Sequence, residues 1–239
     1  MIITPEGKAE EKMTKILCIE TATVNCSVAV FIDGELISIR ESNTGGYSHS
    51  ENLHVYIKEV LAESHLEMKD IDAAAVSRGP GSYTGLRIGV SAAKGLAYAV
   101  GVPLIAVDTL RLIALAGRDK MDASLYVPMI DARRMEVYTA VYDSDMCGVK
   151  EITASIVDEM TYDFLPDDKT VCFLGDGMKK CREVIKHPHA VWCEDIYPSA
   201  RYMWQEAFHR YENAMYEDVA YFEPFYLKDF VGGSPSRKK

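Results

Sequence analysis

Nowhere in the 239 residues is there an apolar run near the ~20 positions that a membrane-spanning helix requires, and the segment Met1 to Lys15 lacks the apolar core of a signal peptide. A cytoplasmic protein without membrane contact is the expectation. The cysteines are few and scattered: Cys18, Cys26, Cys147, Cys172, Cys181 and Cys193 form no CxxC pair. That spacing argues against a zinc site or a redox motif and for reduced, mostly buried thiols. Positive charge is also short, with 26 Lys and Arg against 36 Asp and Glu and a formal net charge of −10. Such a surface repels phosphate backbones, so the chain alone is a poor nucleic-acid binder. The basic clusters at Arg133 and Arg134, at Lys179, Lys180 and Arg182, and at Arg237 to Lys239 read as solvated surface. Neither a Walker loop nor a GxGxxG fingerprint occurs, which removes the two commonest phosphate-loop signatures.

A hydrophobic content of 48% is enough for real cores. Residues 1–12 are polar without periodicity and are expected to be a disordered extension; Met13 opens the first structured pattern. Lys15 to Glu20, Ser27 to Ile32 and Glu35 to Arg40 read as strands, the last two joined by the Asp33-Gly34 turn. Ser48 and Glu51 have capping-box spacing ahead of Leu53, Tyr56, Ile57, Val60 and Leu61, the apolar face of a helix ending near His65. A strand (Ile71 to Ser77), a glycine-rich turn with its helix (to Val100), a strand (Val102 to Val107) and a helix (Thr109 to about Ala116) follow. The order βββαβαβα makes a mixed sheet with helices on its faces.

The order then restarts. Leu125 to Ile130 and Glu136 to Tyr142 flank the Asp131-Ala132-Arg133-Arg134 turn, and Glu151 to Val157 and Thr170 to Leu174 supply further strands. Gly175-Asp176-Gly177 leads to a helix from Met178 to about Ile185, and Pro198-Ser199 opens a last helix to about Met215. Two similar lobes result, 13–110 and 111–239, with the C-terminal tail able to pack back on the first.

One helix stands out. Gly85, Gly89, Ala93 and Ala97 recur at every fourth position and so share one stripe. Glycine inside a helix costs roughly 1 kcal/mol relative to alanine, so Gly89 and Gly95 require a reason. Close approach of another helix or another chain is the reason expected. The turn Arg78 to Gly85 can cradle an anion or simply feed a packed helix, and the second reading is favoured. His49 and His54, five apart, cannot ligate one metal at i, i+4 and read as surface or capping residues. Glu20-Thr21-Ala22-Thr23 is either a phosphate-lining turn or an ordinary one. Asp131, Arg133 and Arg134 are either a hairpin tip or cleft residues. The aromatic run from Tyr221 to Leu227 must be buried against the body or a partner.

At these residues the chain resembles the TsaB (YeaZ) family. The resemblance rests on Ile19 to Thr23, His49-Ser50-Glu51, Gly79 to Ala97, Asp131 to Tyr138 and Pro224 to Leu227. It implies two RNase H-like lobes of the actin, Hsp70 and sugar-kinase (ASKHA) type. It also implies the non-catalytic subunit of the machinery that places threonylcarbamoyl on N6 of adenosine 37 in tRNAs reading ANN codons. The implied partners are a catalytic TsaD-type relative, which carries the metal and nucleotide, and a TsaE-type ATPase, with tRNA reached through the complex. The family pairs, with itself or with the catalytic relative, through the first two long helices, here Ser48 to Glu63 and Thr84 to Val100. The implied interface residues are His49, Leu53, Tyr56, Ile57, Val60, Gly85, Leu86, Gly89, Ala93, Lys94 and Ala97. No catalytic residue, metal or cofactor is expected on this chain. The HxxxH metal motif of the catalytic relatives is absent, and Arg133 stands where kinases of the fold place a phosphate-loop glycine. Glu20, Thr21, Thr23, Asp131, Gly175 and Gly177 remain as nucleotide-site candidates. The alternative is a free-standing ATPase or small-molecule kinase with Glu20 and Asp131 as magnesium carboxylates. A third reading, a metalloprotease, lacks its metal-ligand spacing.

Overall fold

The structure, a computed structural model, describes residues 13–43 and 49–228; the expected extension over 1–12, the capping residue Ser48 and the basic chain end lie outside the described residues. The first sheet is built on Lys15–Glu20 (β1), buried from Ile16 onward, as a central strand covered on both faces must be. Cys26–Ile32 (β2) returns antiparallel, and Asp33 and Gly34, at φ 45° and 92°, turn the chain into Glu35–Ser42 (β3). Positive φ at both positions gives a primed hairpin turn, whose twist matches that of the strands. His49–Glu63 (α1), Ala73–Gly79 (β4), Tyr83–Val100 (α2), Leu104–Asp108 (β5) and Thr109–Arg118 (α3) follow. β4 lies parallel to β1 and β5 parallel to β4, giving the order β3-β2-β1-β4-β5.

Leu125–Asp131 (β6), Glu136–Asp143 (β7) and Gly148–Ile156 (β8) repeat the antiparallel meander, and Val171–Leu174 (β9) and Ala190–Cys193 (β10) add parallel strands. The resulting order, β8-β7-β6-β9-β10, is that of the first sheet strand for strand. The two-lobed α/β fold expected from the sequence is therefore the one observed. Several elements differ from the sequence reading. The helix expected from Met178 to Ile185 is a single turn, Met178–Cys181 (α4), because Val184 N and Ile185 N both donate to the Cys181 carbonyl and close the turn. The expected last helix is divided into a 3-10 turn at Ala200–Tyr202, capped by Ser199, and Trp204–Glu212 (α5). It ends before Met215, where Ala214 takes φ 52°. In place of a helix corresponding to α1, the segment after β8 buries Val157, Tyr162 and Leu165 against the second sheet.

Alternation along β1 divides the first core. Leu17 and Ile19 pack under α1 and α2 with Leu53, Val60, Val90 and Ala93. Ile16 and Cys18 face the other way, onto Ala200, Met203 and Ala207, and Phe31 stacks on Trp204 with ring centroids 5.7 Å apart. The C-terminal helix α5 thus covers the first sheet. Conversely α3, which follows that sheet in sequence, packs Leu110 and Ile113 against Tyr126 and Leu174 of the second.

Candidate functional site

Between the lobes lies a cavity of ≈ 730 Å³, lined from the first lobe by Ala22, Thr23 and the turn Pro80 to Thr84, and from the second by Ile130 to Arg134, Glu136, Tyr138 and Asp176. Phe225 to Lys228 close one side. The aromatic run near the end of the sequence is therefore cleft wall, with Phe222 half-buried on the first core and Tyr221, expected to be buried, 84% accessible. Phe225 N donates to the Arg78 carbonyl at 2.7 Å, Tyr226 packs on Tyr83 with centroids 5.0 Å apart, and Lys228 pairs with Glu136 of β7. Sequence reasoning missed Tyr226 and Lys228 as cleft residues and named Asp176 only within the Gly175-Asp176-Gly177 turn. The density of aromatics was the available signal, but nothing local says which surface they meet.

On the first-lobe side, the residues nominated for phosphate are mostly sequestered. Thr21 is wholly buried and its hydroxyl donates to the Gly85 carbonyl at 2.8 Å. Glu20 is wholly buried as well; one carboxylate oxygen accepts from Ala22 N, and Oε2 carries no hydrogen bond. Only Ala22 and Thr23 of this turn reach the cleft. Glu20 and Thr21 are thus corrected from cleft candidates to packing residues, because α2 lies directly on the turn that holds them.

Burial raises the Glu20 pKa from 4.5 to about 7, against the opposing hydrogen bond from Ala22 N. A carboxyl whose pKa rises on folding takes up a proton as the chain folds. Its contribution to stability is complete below about pH 4.5 and is lost as pH rises through about 7, a loss of about 3 kcal/mol at most. Glu20→Gln, which keeps the shape without the charge, is expected to match the parent in urea unfolding at pH 4.5. At pH 8 it should exceed the parent by about 2 kcal/mol.

The second-lobe side is a hairpin tip. Asp131 Oδ1 accepts from Arg133 N at 2.7 Å and is paired with Lys180, while Asp176 Oδ1 accepts from Asp131 N at 2.9 Å. Arg133 and Arg134 occupy the left-handed region, at φ 71° and 51°, where a Cβ is disfavoured. Arg133→Gly is therefore expected to raise the urea midpoint by up to about 1 kcal/mol of stability. Gly175 and Gly177 have packing duties: a Cβ on Gly175 would lie 2.3 Å from the Met129 carbonyl oxygen, and one on Gly177 2.9 Å from the Ile130 carbonyl carbon. Among the described residues no group of three His, Cys, Asp or Glu side chains is placed to hold a metal ion.

The helix pair is the second candidate site. The small-residue stripe faces inward: a Cβ on Gly85 would sit 2.1 Å from Thr21 O, and one on Gly89 2.2 Å from Thr21 Oγ1. The close approach expected from these glycines is thus to the chain's own β1–β2 turn. Of the residues named for an interface, His49, Leu53, Ile57 and Val60 of α1 and Gly85, Leu86, Gly89, Ala93 and Ala97 of α2 are buried. Tyr56 is half-buried against the same core. Lys94 is half-buried too and reaches its own tail, donating to the Ala220 and Phe222 carbonyls at 3.2 and 2.8 Å. His49 is no surface residue, because its Nε2 donates to the Thr23 carbonyl at 2.7 Å and burial pushes its pKa down. His54 is exposed.

The opposite face of the pair is open. Thr84, Ser91, Gly95, Tyr98 and Ala99 of α2 and Val55 of α1 are exposed. Tyr98 is 83% and Val55 51% accessible, and a Cβ on Gly95 would meet nothing within 4 Å. Here is the helical glycine without an intrachain reason. A surface on which Val55, Tyr98 and Ala99 stand among charged and polar residues, with a gap at Gly95, is suited to receiving another helix closely.

A family model described as "TsaD: tRNA N6-adenosine threonylcarbamoyltransferase" matches residues 43–229. The chain is 32% identical over 223 residues to the tRNA threonylcarbamoyladenosine biosynthesis protein TsaB of Escherichia coli, covering 91% of this chain and 96% of that one. It is 32% identical over 179 residues to the TsaB of Bacillus subtilis, covering 72% and 75% of the two chains. The solved structure of YeaZ from Pseudomonas aeruginosa superposes with a TM-score of 0.81 at 25% identity, over 90% of this chain and all of that one.

Proposed function

Because this chain belongs to the family of the tRNA threonylcarbamoyladenosine biosynthesis protein TsaB, we propose that it is the non-catalytic, activating subunit of the complex that transfers threonylcarbamoyl to N6 of adenosine 37 in tRNAs reading ANN codons. Its partner is a catalytic TsaD-type subunit bearing the metal and nucleotide, served by a TsaE-type ATPase, and tRNA is reached through the complex in the cytoplasm. The observation that carries this reading is the exposed α1–α2 face, where Gly95, Tyr98 and Val55 are bare in the folded chain. A second copy of the chain can occupy the same face when the catalytic subunit is absent.

What the cleft offers supports this division of labour. Transfer of a carbamoyl group requires a positioned electrophile and a site for the leaving group's phosphates. Here the first-lobe turn spends its hydroxyl and carboxylate on α2 and its own backbone, and Arg133, at the tip of the second-lobe hairpin, lines the cleft. The net charge of −10 leaves phosphate-backbone attraction to the partner. Among the described residues no helix is long and apolar enough to cross a membrane.

Reconstitution tests the reading directly. Transfer RNA is incubated with catalytic subunit, ATPase subunit, ATP and a preformed threonylcarbamoyl donor, with and without this chain, and the modified nucleoside is quantified. Modification is expected only with the chain present; full modification without it would overturn the proposal. Calorimetry of the isolated chain with Mg-ATP tests the alternative kinase reading, which a stoichiometric, tight isotherm would restore.

A further inference from the structure

The second lobe holds two sulfur atoms in contact that tRNA modification does not use. Cys172 lies on β9 and Cys193 ends the neighbouring strand β10. The strands run parallel with Val191 opposite Cys172 and Cys193 opposite Leu174, so the two cysteines share a face of the sheet, two positions out of register. With strands about 4.8 Å apart and a rise of about 3.3 Å per residue, positions two out of register have Cα atoms about 8 Å apart, beyond what a disulfide spans without backbone movement. The two Sγ atoms nevertheless lean together to 3.1 Å, about 1 Å more than the ~2.05 Å of a sulfur–sulfur bond. β10 can supply that movement. It has four residues, all half-buried, and lies at the edge of its sheet, where no further strand holds it. Cys172 is wholly buried, whereas Cys193 is partly accessible.

We propose that Cys172 and Cys193 form a redox modification site at which a peroxide closes a disulfide between β9 and β10. The Cys193 thiolate attacks hydrogen peroxide; a sulfur–oxygen bond forms, the oxygen–oxygen bond breaks, and the departing hydroxide is protonated to water. The Cys172 sulfur then attacks the sulfenic sulfur of Cys193. A sulfur–sulfur bond forms, the sulfur–oxygen bond breaks, and hydroxide leaves with the Cys172 proton as a second water. Two thiols are oxidised by two electrons and one peroxide is reduced to two waters. Burial raises the Cys172 pKa, so Cys193, the accessible sulfur, is the one that meets the oxidant and Cys172 the one that resolves it. The bridge fixes the edge strand and with it Asp195 and Ile196, which line a second cavity of ≈ 240 Å³ together with Asn25, Lys120 and Ser199.

The test uses the full chain carrying Cys147→Ser, which removes the exposed thiol. It is treated in the folded state with hydrogen peroxide, alkylated and digested with trypsin without reduction. The expected product is lighter by two hydrogen atoms, has lost two of its thiols, and joins peptide 170–179 to peptide 187–201; dithiothreitol reverses all three changes. Adding Cys193→Ser is expected to abolish the loss of thiols. Adding Cys172→Ala is expected to leave a sulfenic acid on Cys193 that dimedone traps. Unchanged thiols, a bridge between another pair, or conversion of Cys193 to sulfinic or sulfonic acid while Cys172 stays a thiol would overturn the proposal. The peptide map of the Cys147→Ser chain decides the matter even if the Cys172→Ala chain fails to fold.

Discussion

Gly89→Leu is expected to leave no folded protein, while Gly95→Ala, six residues further along the same helix, is expected to be more stable than the parent. A Cβ at position 89 would stand 2.2 Å from Thr21 Oγ1 and 3.3 Å from Thr21 Cβ. Thr21 cannot withdraw, because it is wholly buried and its hydroxyl is bonded to the Gly85 carbonyl. Leucine there must either lift α2 from β1 or break that bond, a cost on the order of 5 kcal/mol. Such a loss is comparable with the whole stability of a domain. At Gly95 nothing lies within 4 Å of the added Cβ, so alanine brings only its helix propensity, about 1 kcal/mol. Circular dichroism with thermal and urea unfolding of both variants checks the contrast. A folded Gly89→Leu protein would mean that α2 does not rest on the β1–β2 turn.

The second large effect concerns association. Tyr98→Asp and Gly95→Arg are expected to lower affinity for the catalytic subunit by at least about 100-fold, because a buried tyrosine anchor at the centre of an interface is commonly worth 2–4 kcal/mol. A cation placed in a helix–helix gap adds desolvation and steric cost. Neither residue touches the core: Tyr98 is 83% accessible and position 95 opens to solvent. Both variants should therefore fold, Gly95→Arg with the gain in helix propensity that any good helix former brings to that position. Titration calorimetry against the catalytic subunit, with thermal melts as control, measures both quantities. Parental affinity in folded Tyr98→Asp would remove the α1–α2 face from the interface.

Those two glycines also show what a sequence carries and what it omits. The recurrence of Gly85, Gly89, Ala93 and Ala97 signals close approach, and close approach is found. The partner in that approach was expected to be another helix or another chain and is instead the turn residue Thr21, sixty-four residues before the carbonyl of Gly85 that it bonds. Periodicity specifies a face, not what covers it. The strand order was legible because alternation and turn residues are local: Asp33-Gly34 announces its hairpin, and both lobes repeat the same strand order. β10 was not legible, since four residues following His187-Pro188-His189 are too few to show a period. The cleft was partly legible. Asp131, Arg133 and Arg134, left open by their turn between hairpin tip and cleft, line the cleft at a hairpin tip, whereas Tyr226 and Lys228 reach it only because the tail folds back across Arg78 and Glu136. Long-range returns of this kind leave no local pattern.

The exchange of helices between the lobes has a consequence for biosynthesis. A nascent chain emerges at about 5–20 residues per second, and its early segments usually fold first. Here the face of the first sheet formed by Ile16, Cys18, Ala29 and Phe31 waits for Ala200, Met203 and Ala207, which leave the ribosome after the entire second sheet. The first lobe, though synthesised first, is completed last, and its apolar face is a natural landing site for a chaperone during translation.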